Sequence, residues 1–276
     1  MVIIWHRGKA KAVRLLGNAR TVHKKSRGFP YEIVEMIIAH LVRDLCTLKA
    51  CSLTCRPWYT AAVPHIHHTL VLKGKSLGTA RGGLKSLSKL HKPSLIPLVE
   101  EIWVLQGWPL WFKPQVFGRR DLHLFSALAN VHTLRFQELE IYRFIPGIER
   151  YFGQFSPTLR SIALFEPRCI PRQLSYFLSL FSTLDDIEIS GGYTPQFQRT
   201  LPDPELVPFF TPKLRGRLTL NSFDWVKSWT YLTTSYGCLR FRYMDLYGAE
   251  SCGPILLKAC AETLETLRLS LTDGPG

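Results

Sequence analysis

The chain has 276 residues, 46% of them hydrophobic, and a formal net charge of +14. No apolar run reaches the length of a membrane span, and the first residues lack the uninterrupted apolar core of a secretory signal. Seven cysteines without a Cys-x-x-Cys pair argue against a disulfide framework and favour free thiols. We therefore expect an intracellular protein, cytoplasmic, nuclear or both, with no membrane partner.

The basic charge is concentrated in the first residues. Residues 1–28 contain eight lysines and arginines and no acidic residue. A disordered solvated leader, a nuclear import address and an organellar presequence all have this composition, and it also suits nucleic-acid binding. The sequence leaves these interpretations open, and we expect the segment to be a basic, disordered leader.

Residues 29–72 have the pattern of a small helical module that runs into a strand. Pro30 suits the first position of a helix, and Glu32 in the first turn complements the helix dipole. Two neighbouring apolar stripes follow at a spacing of four residues: Ile33, Ile37 and Leu41 on one, and Val34, Ile38 and Val42 on the other. Two stripes make a wider face than a small module buries, so one is predicted to pack internally and the other to face a partner.

Two shorter helices are predicted next. Asp44 is a candidate N-cap for the second helix, with Leu45 and Leu48 facing inward. Pro57 would break a helix that ran through the cysteine-rich segment. The third helix is therefore predicted to begin at 54–55, with Pro57 in its first turn.

The order of motifs in this module resembles the F-box, in particular the F-box families of basidiomycete fungi. The matching segments are FPYEIVEMIIAHL and ACSLTCRPW, and the family's opening Leu-Pro is replaced here by Phe-Pro. The resemblance implies that the module docks the Skp adaptor of a cullin-based ubiquitin ligase and does no chemistry itself. The adaptor-binding residues that it implies are Phe29, Pro30, Glu32, Ile33, Ile37, Leu41, Leu48, Leu53 and Trp58.

Beyond the module, short strand-like segments recur, each with one variable residue between two apolar ones. They lie at 102–104, 134–136, 162–164, 187–189, 218–220, 241–243 and 267–269. Helical patterns separate them, for example at 173–181. This spacing resembles degenerate leucine-rich repeats, whose strand-and-helix units stack because one unit alone cannot bury its apolar face.

The predicted fold class is therefore α/β: a three-helix F-box followed by an irregular solenoid with parallel strands on its concave face. We divide the chain into a basic leader (1–28), the F-box (29–72), a linker helix (73–98) and the solenoid (99–276). In each strand the two flanking apolar residues are predicted to point inward and the middle residue outward.

The outward residues form a predicted target-binding row. It is aromatic at its start and rich in arginine toward its end, and arginine pairs well with carboxylates and phosphates. We expect an acidic or phosphorylated segment of a target protein to bind there. The candidate residues, including members of the neighbouring outward row, are Trp103, Arg135, Glu188, Arg217, Arg240, Arg242 and Arg268.

Signals of catalysis, metal binding or cofactor binding are weak. The tripeptide Gly-Lys-Ser at 74–76 ends like a phosphate-binding loop, but Thr69 stands where that motif needs glycine. The histidines at 65, 67 and 68 and the nearby cysteines lack the spacing of a structural zinc site. We expect no enzyme activity, no metal and no cofactor.

The predicted function is the substrate-recognition subunit of an SCF-type (Skp–cullin–F-box) ubiquitin ligase. The F-box would hold the adaptor, and the repeats would hold an unknown target protein. Two alternatives remain: a nucleic-acid-associated protein, and an F-box scaffold that acts without the ligase. Nucleic acid is the less expected partner, and its binding would weaken steeply with salt.

Overall fold

The computed structural model describes residues 29–72, 93–105, 125–138, 149, 152–167, 169, 171–191, 213–221, 230, 233, 239–248 and 253–270. The predicted basic leader and most of the predicted linker helix, 73–92, lie outside these residues. The described residues form an α/β structure with five α-helices, two short 3-10 helices and one parallel sheet of eight strands.

Three helices come first: α1 (Tyr31–His40), α2 (Leu45–Ser52) and α3 (Arg56–His67). Pro30 is the N-cap of α1, one position earlier than predicted. The Asp44 carboxylate accepts a hydrogen bond from the backbone N–H of Thr47 at 3.0 Å, which confirms it as the N-cap of α2. Cys55 is the N-cap of α3 and Pro57 lies in its first turn, as predicted.

The three helices enclose a small core of their own. Its buried residues are Val34, Ile38, Leu48, Ala61 and Ala62. The stripe that packs inward on α1 is thus the one containing Val34 and Ile38, while Ile33 on the other stripe is exposed. The prediction that one stripe packs internally holds for Val34 and Ile38, but Val42 of the same stripe is exposed and Leu41 of the other stripe packs against the core.

Eight parallel strands follow, and each pairs with the next in chain order. They are β1 (Thr69–Leu72), β2 (Glu101–Val104), β3 (Thr133–Gln137), β4 (Ser161–Phe165), β5 (Thr183–Ser190), β6 (Lys213–Asn221), β7 (Arg240–Tyr247) and β8 (Thr266–Ser270). Seven of these contain the predicted strand segments. The eighth strand, β1, is the strand into which the 29–72 module was predicted to run, and it pairs with β2, so the sheet begins inside the segment assigned to the F-box.

Helices cover one face of this sheet. They are α4 (Pro171–Ser179), α5 (Gly253–Cys260) and the 3-10 helices Pro93–Leu98 and Gly153–Phe155. Buried apolar side chains of the strands and helices form one continuous core. The Phe136 ring packs edge to face on Phe152 and Phe177, with ring centroids 5.3 and 5.4 Å apart. In the described part of the chain no helix covers the other face, which we call the open face.

Two irregularities change the register late in the sheet. Gly216 has φ +83°, and a Cβ there would lie 2.0 Å from the carbonyl oxygen of Asp185, so only glycine fits this close approach. The register between β6 and β7 shifts at the next residue. Gly216 is opposite Phe241, but Arg217 is opposite Tyr243, which leaves Arg242 without a partner on β6. Arg242 is therefore an extra, bulged residue.

The bulge makes the predicted strand centre at 241–243 wrong. In register, the counterpart of Leu218, Thr219 and Leu220 is 244–246. Phe241 is buried as predicted, but Tyr243, predicted to point inward, is 39% exposed. A bulge adds one residue and shifts the alternation that follows, so Met244 points inward instead. Leu269, also predicted to point inward, is exposed on the last strand.

Candidate interaction surfaces

The three-helix unit, residues 29–67, exposes an unusual number of large apolar side chains. Of the thirteen exposed large apolar residues in the described part of the chain, eight lie in this unit. They are Phe29, Tyr31, Ile33, Met36, Val42, Leu45, Leu53 and Tyr59. Leu53 and Phe29 are the most exposed, at 86% and 67%. We call these eight residues the apolar surface of the unit.

The predicted adaptor-binding residues divide between this surface and the interior. Phe29, Pro30, Glu32, Ile33 and Leu53 are exposed, and Ile37 is half-buried. Leu41 and Trp58 are partly buried against the core of the unit. Leu48 is fully buried within that core, so it supports the surface and does not belong to it.

Sequence reasoning missed Tyr31, Met36, Val42 and Tyr59 as surface residues and placed Leu45 wrongly. Leu45 and Leu48 are three positions apart, about 60° around the helix axis, and a core of five buried residues is too narrow to cover both. Met36 follows Ile33 at a helical spacing of three, which is the signal that would have found it.

The unit is joined to the sheet by a single residue. His68 lies between the end of α3 and the start of β1. Its carbonyl oxygen accepts hydrogen bonds from the N–H groups of Glu100 and Glu101, at 3.0 and 3.1 Å. The imidazole Nε2 atoms of His68 and His132 lie 3.4 and 3.0 Å from one Glu100 carboxylate oxygen. Backbone and side-chain contacts therefore attach the unit to the first three strands.

The open face carries the predicted row of outward residues, with one correction. Strand register places Trp103, Arg135, Ala163, Glu188, Thr219, Asp245 and Arg268 side by side. Asp245 thus takes the place predicted for Arg242. In the neighbouring row, Tyr243 and not Arg240 lies beside Arg217. Target binding by this row stays a prediction.

One end of the open face carries an aromatic side chain stacked with a fixed arginine. The Arg135 guanidinium lies 5.4 Å from the centre of the Trp103 ring and forms an ion pair with Glu101. Glu101 also accepts a hydrogen bond from Thr69 at 2.9 Å. Burial would raise the pKa of Glu101, but hydrogen bonds from Trp103, Thr69 and Arg135 outweigh it and hold the pKa below its usual value.

The other end repeats this arrangement. The Arg217 guanidinium lies 5.9 Å from the centre of the Tyr243 ring. Arg217 and Arg268 both approach the Asp245 carboxylate, at 3.9 and 3.8 Å. An aromatic ring, an arginine and a carboxylate therefore meet at each end of the open face.

Carboxylates outnumber arginines in the two central rows. The described residues of these rows include three arginines (Arg135, Arg217 and Arg268) and four carboxylates (Glu101, Asp186, Glu188 and Asp245). Over β5–β8 alone the two rows hold two arginines and three carboxylates, so the expectation of a strongly basic C-terminal half is wrong for these rows. Burial raises the pKa of Asp186, although the charge of Arg217 opposes that effect.

Most of the remaining arginines lie at the amino ends of the strands. The Asp185 carboxylate lies between two arginines: the Nε atoms of Arg160 and Arg215 are 4.0 and 2.8 Å from its oxygens. Arg242 lies 3.6 Å from Glu265. Arg240 instead lines an open cavity of about 570 Å³, together with Lys258 and Glu262. Arg240 and Arg242 thus lie beside the open-face rows and not within them.

Among the described residues, no three His, Cys, Asp or Glu side chains are placed to bind a metal ion together. In the same part of the chain, none of the helices has the length and apolar character needed to cross a membrane.

No protein-family model, no curated protein and no solved structure matches the chain.

Proposed function

We propose that this chain is the substrate-recognition subunit of a Skp–cullin–F-box ubiquitin ligase. The three-helix unit docks the Skp-family adaptor through its apolar surface, and the open face of the sheet binds a target protein. The proposal rests on the F-box-like order of motifs at residues 29–58 together with the exposure of eight large apolar side chains in that unit.

The imbalance between core and surface in the unit carries the argument. Five buried residues form its core, while eight large apolar side chains face solvent. Burying one such side chain stabilises a complex by about 1.5–3 kcal/mol at most, so a few of them suffice for a stable interface. The excess of exposed over buried apolar side chains in this unit is the observation that supports a protein-binding role.

A role in nucleic-acid binding has weaker support. In the described part of the chain, the arginines of the two central rows all approach carboxylates, which leaves little free positive charge for phosphates. An F-box scaffold that acts without the ligase would use the same adaptor contact, so only a reconstituted ubiquitylation reaction separates it from the main proposal.

The adaptor contact can be tested with a matched pair of substitutions. Leu53→Asp places a charge in the apolar surface, and Leu269→Asp places the same charge at another exposed leucine, 59% exposed on β8. We expect Leu53→Asp to weaken binding of a purified Skp-family adaptor at least about 10-fold in calorimetry, since a buried unpaired charge is costly. Leu269→Asp should bind like the wild type.

Circular dichroism of both variants controls for folding. Both leucines are exposed, so each substitution should change the free energy of unfolding by less than about 0.5 kcal/mol. Equal adaptor affinity of wild type and Leu53→Asp, or no adaptor binding by folded wild type, would remove the proposal.

A further inference from the structure

Two similar clusters mark the ends of the open face: Trp103 with Arg135 and Glu101 on β2 and β3, and Tyr243 with Arg217 and Asp245 on β6 and β7. Trp103 and Tyr243 are 36% and 39% exposed, so each ring presents free apolar area. Carboxylates fix the two arginines against the rings. Rings held in this way lose little conformational freedom on binding, which suits them as anchor points for a partner.

The distance between the clusters sets the length of a segment that reaches both. β2 and β7 are separated by five strand spacings, about 24 Å at roughly 4.8 Å each. An extended polypeptide covers that distance in about seven to eight residues. Side chains of an extended segment alternate sides, so two that face the sheet together must be an even number of residues apart. A separation of eight residues between the two apolar side chains, as between positions 1 and 9 of a peptide, satisfies both conditions.

Between the two clusters, β4 carries small side chains in the two rows and β5 carries acidic ones. In the two rows β4 contributes the small residues Ser161, which is half-buried, and Ala163, which is buried, and β5 contributes Asp186 and Glu188. Within the described residues, neither carboxylate has a Lys or Arg nitrogen within 4.0 Å, whereas Glu101 and Asp245 both have such a partner. A cationic side chain arriving at β5 would therefore meet two carboxylates without an ion-pair partner among the described residues, with Arg217 opposite Asp186 in the register.

We infer that the open face binds an extended polypeptide segment that crosses the strands, with a large apolar side chain at each end and a lysine or arginine midway. The inference rests on the proposed function, in which this face holds the target, and it names the chemical class of that target. It replaces the acidic or phosphorylated segment expected from sequence, because such a segment would place like charges against Asp186 and Glu188.

A labelled nonapeptide tests this chemistry on the full chain. The probe has Phe at positions 1 and 9, Lys at position 5 and Gly or Ser elsewhere, with a fluorescein label read by polarisation. Partner peptides carry Glu or Ser at position 5, or move the second Phe to position 5 with Lys at position 3. We expect the Lys probe to bind at least about 10-fold more tightly than the Glu probe, and more tightly than the shortened one.

Variants locate the contact. Asp186→Asn with Glu188→Gln should bring the Lys and Ser probes within about 2-fold of each other, because the charge preference comes from these carboxylates. Glu262→Gln, an exposed carboxylate beside α5, is the matched control and should keep the preference. Trp103→Ala and Tyr243→Ala should each weaken the Lys probe about 10-fold.

Several results would overturn the inference. They are equal or tighter binding of the Glu probe, no binding of the Lys probe at millimolar concentration, and a preference that survives the Asp186→Asn and Glu188→Gln double substitution. Tighter binding of a single-stranded oligonucleotide, lost in Arg217→Glu, would assign the face to nucleic acid instead. Leu53→Asp should keep the Lys preference while losing the adaptor, so the two proposals fail independently.

Discussion

The three-helix unit and the sheet differ in the share of their large apolar side chains that they bury. The unit buries five core residues and leaves eight large apolar side chains exposed. The sheet buries apolar residues from every described strand except β8 against its helices, and its open face is mixed and largely polar. The unit therefore leaves more large apolar side chains in solvent than it buries, whereas the sheet and its helices enclose a core of their own.

The largest expected effect is a difference between the same substitution in the two regions. Leu48 in the unit and Leu164 in β4 are both fully buried, and each Leu→Ala change should cost about 2–5 kcal/mol. A core of five residues contributes little more than this cost to the free energy of unfolding of the unit. Leu48→Ala should therefore unfold α1–α3 while the sheet persists. Leu164→Ala should leave both regions folded but less stable.

Amide hydrogen exchange followed by mass spectrometry measures this difference region by region. We expect lost protection in residues 31–67 for Leu48→Ala and retained protection there for Leu164→Ala. Protection of α1–α3 that is equal in wild type and Leu48→Ala would contradict the comparison.

The next effect concerns Gly216, which lies at the close approach between β5 and β6 where the strand register shifts. Gly216→Ala forces a Cβ against the Asp185 carbonyl oxygen at a positive φ and should cost about 1–3 kcal/mol. Gly153→Ala is the matched control, because a Cβ there meets no atom within 4 Å. Urea denaturation measures both. A loss no larger for Gly216→Ala than for Gly153→Ala would show that the close approach is absent.

A smaller effect is expected at Glu101, and it depends on pH. Because the pKa of Glu101 is lowered in the folded protein, its stabilising contribution is present above the ordinary value near 4.5 and is lost as the pH falls through the folded value. Glu101→Gln should cost about 1–2 kcal/mol at pH 7. The gap to wild type in the free energy of unfolding should narrow below pH 4.5. A constant gap would exclude the proposed ion pair as its cause.

The smallest effect has the opposite sign. The pKa of Asp186 is raised, so its ionised form slightly destabilises the folded protein at neutral pH. Asp186→Asn should increase the free energy of unfolding at pH 7, by less than about 0.5 kcal/mol because the side chain is exposed. The difference should shrink as the pH falls toward the ordinary aspartate value. Thermal unfolding at pH 7 and pH 4 checks the sign.

Local patterns in the sequence predicted much of the fold. Capping chemistry, proline geometry and period-two alternation account for the caps at Asp44 and Cys55, the helix near 171–179 and the register of the first five predicted strand segments. The bulge at Arg242 was missed, because Tyr243 is apolar enough to pass for an inward residue. The buried residues Phe241 and Met244 are three positions apart, and that gap is the signal.

The two surfaces were harder to predict because they depend on tertiary contacts. Leu45 and Leu48 look alike in the sequence, yet only the packing of three helices decides which is covered. The charge of the open face also changed with one register shift, since Asp245 replaced Arg242 beside Arg268. A single inserted residue thus reverses the expected charge of a surface.

The agreement of strand order with chain order has a kinetic consequence. Leu70 pairs with Ile102, 32 residues later, and Met244 pairs with Leu267, 23 residues later, so each strand needs only a recently synthesised neighbour. These sequence separations are similar along the whole sheet, so the entropic cost of closing each connection stays nearly constant and no strand has to wait for a distant part of the chain. On a ribosome α1, α2 and α3 emerge before the first strand. The sheet can then grow one strand at a time from the existing edge at β1.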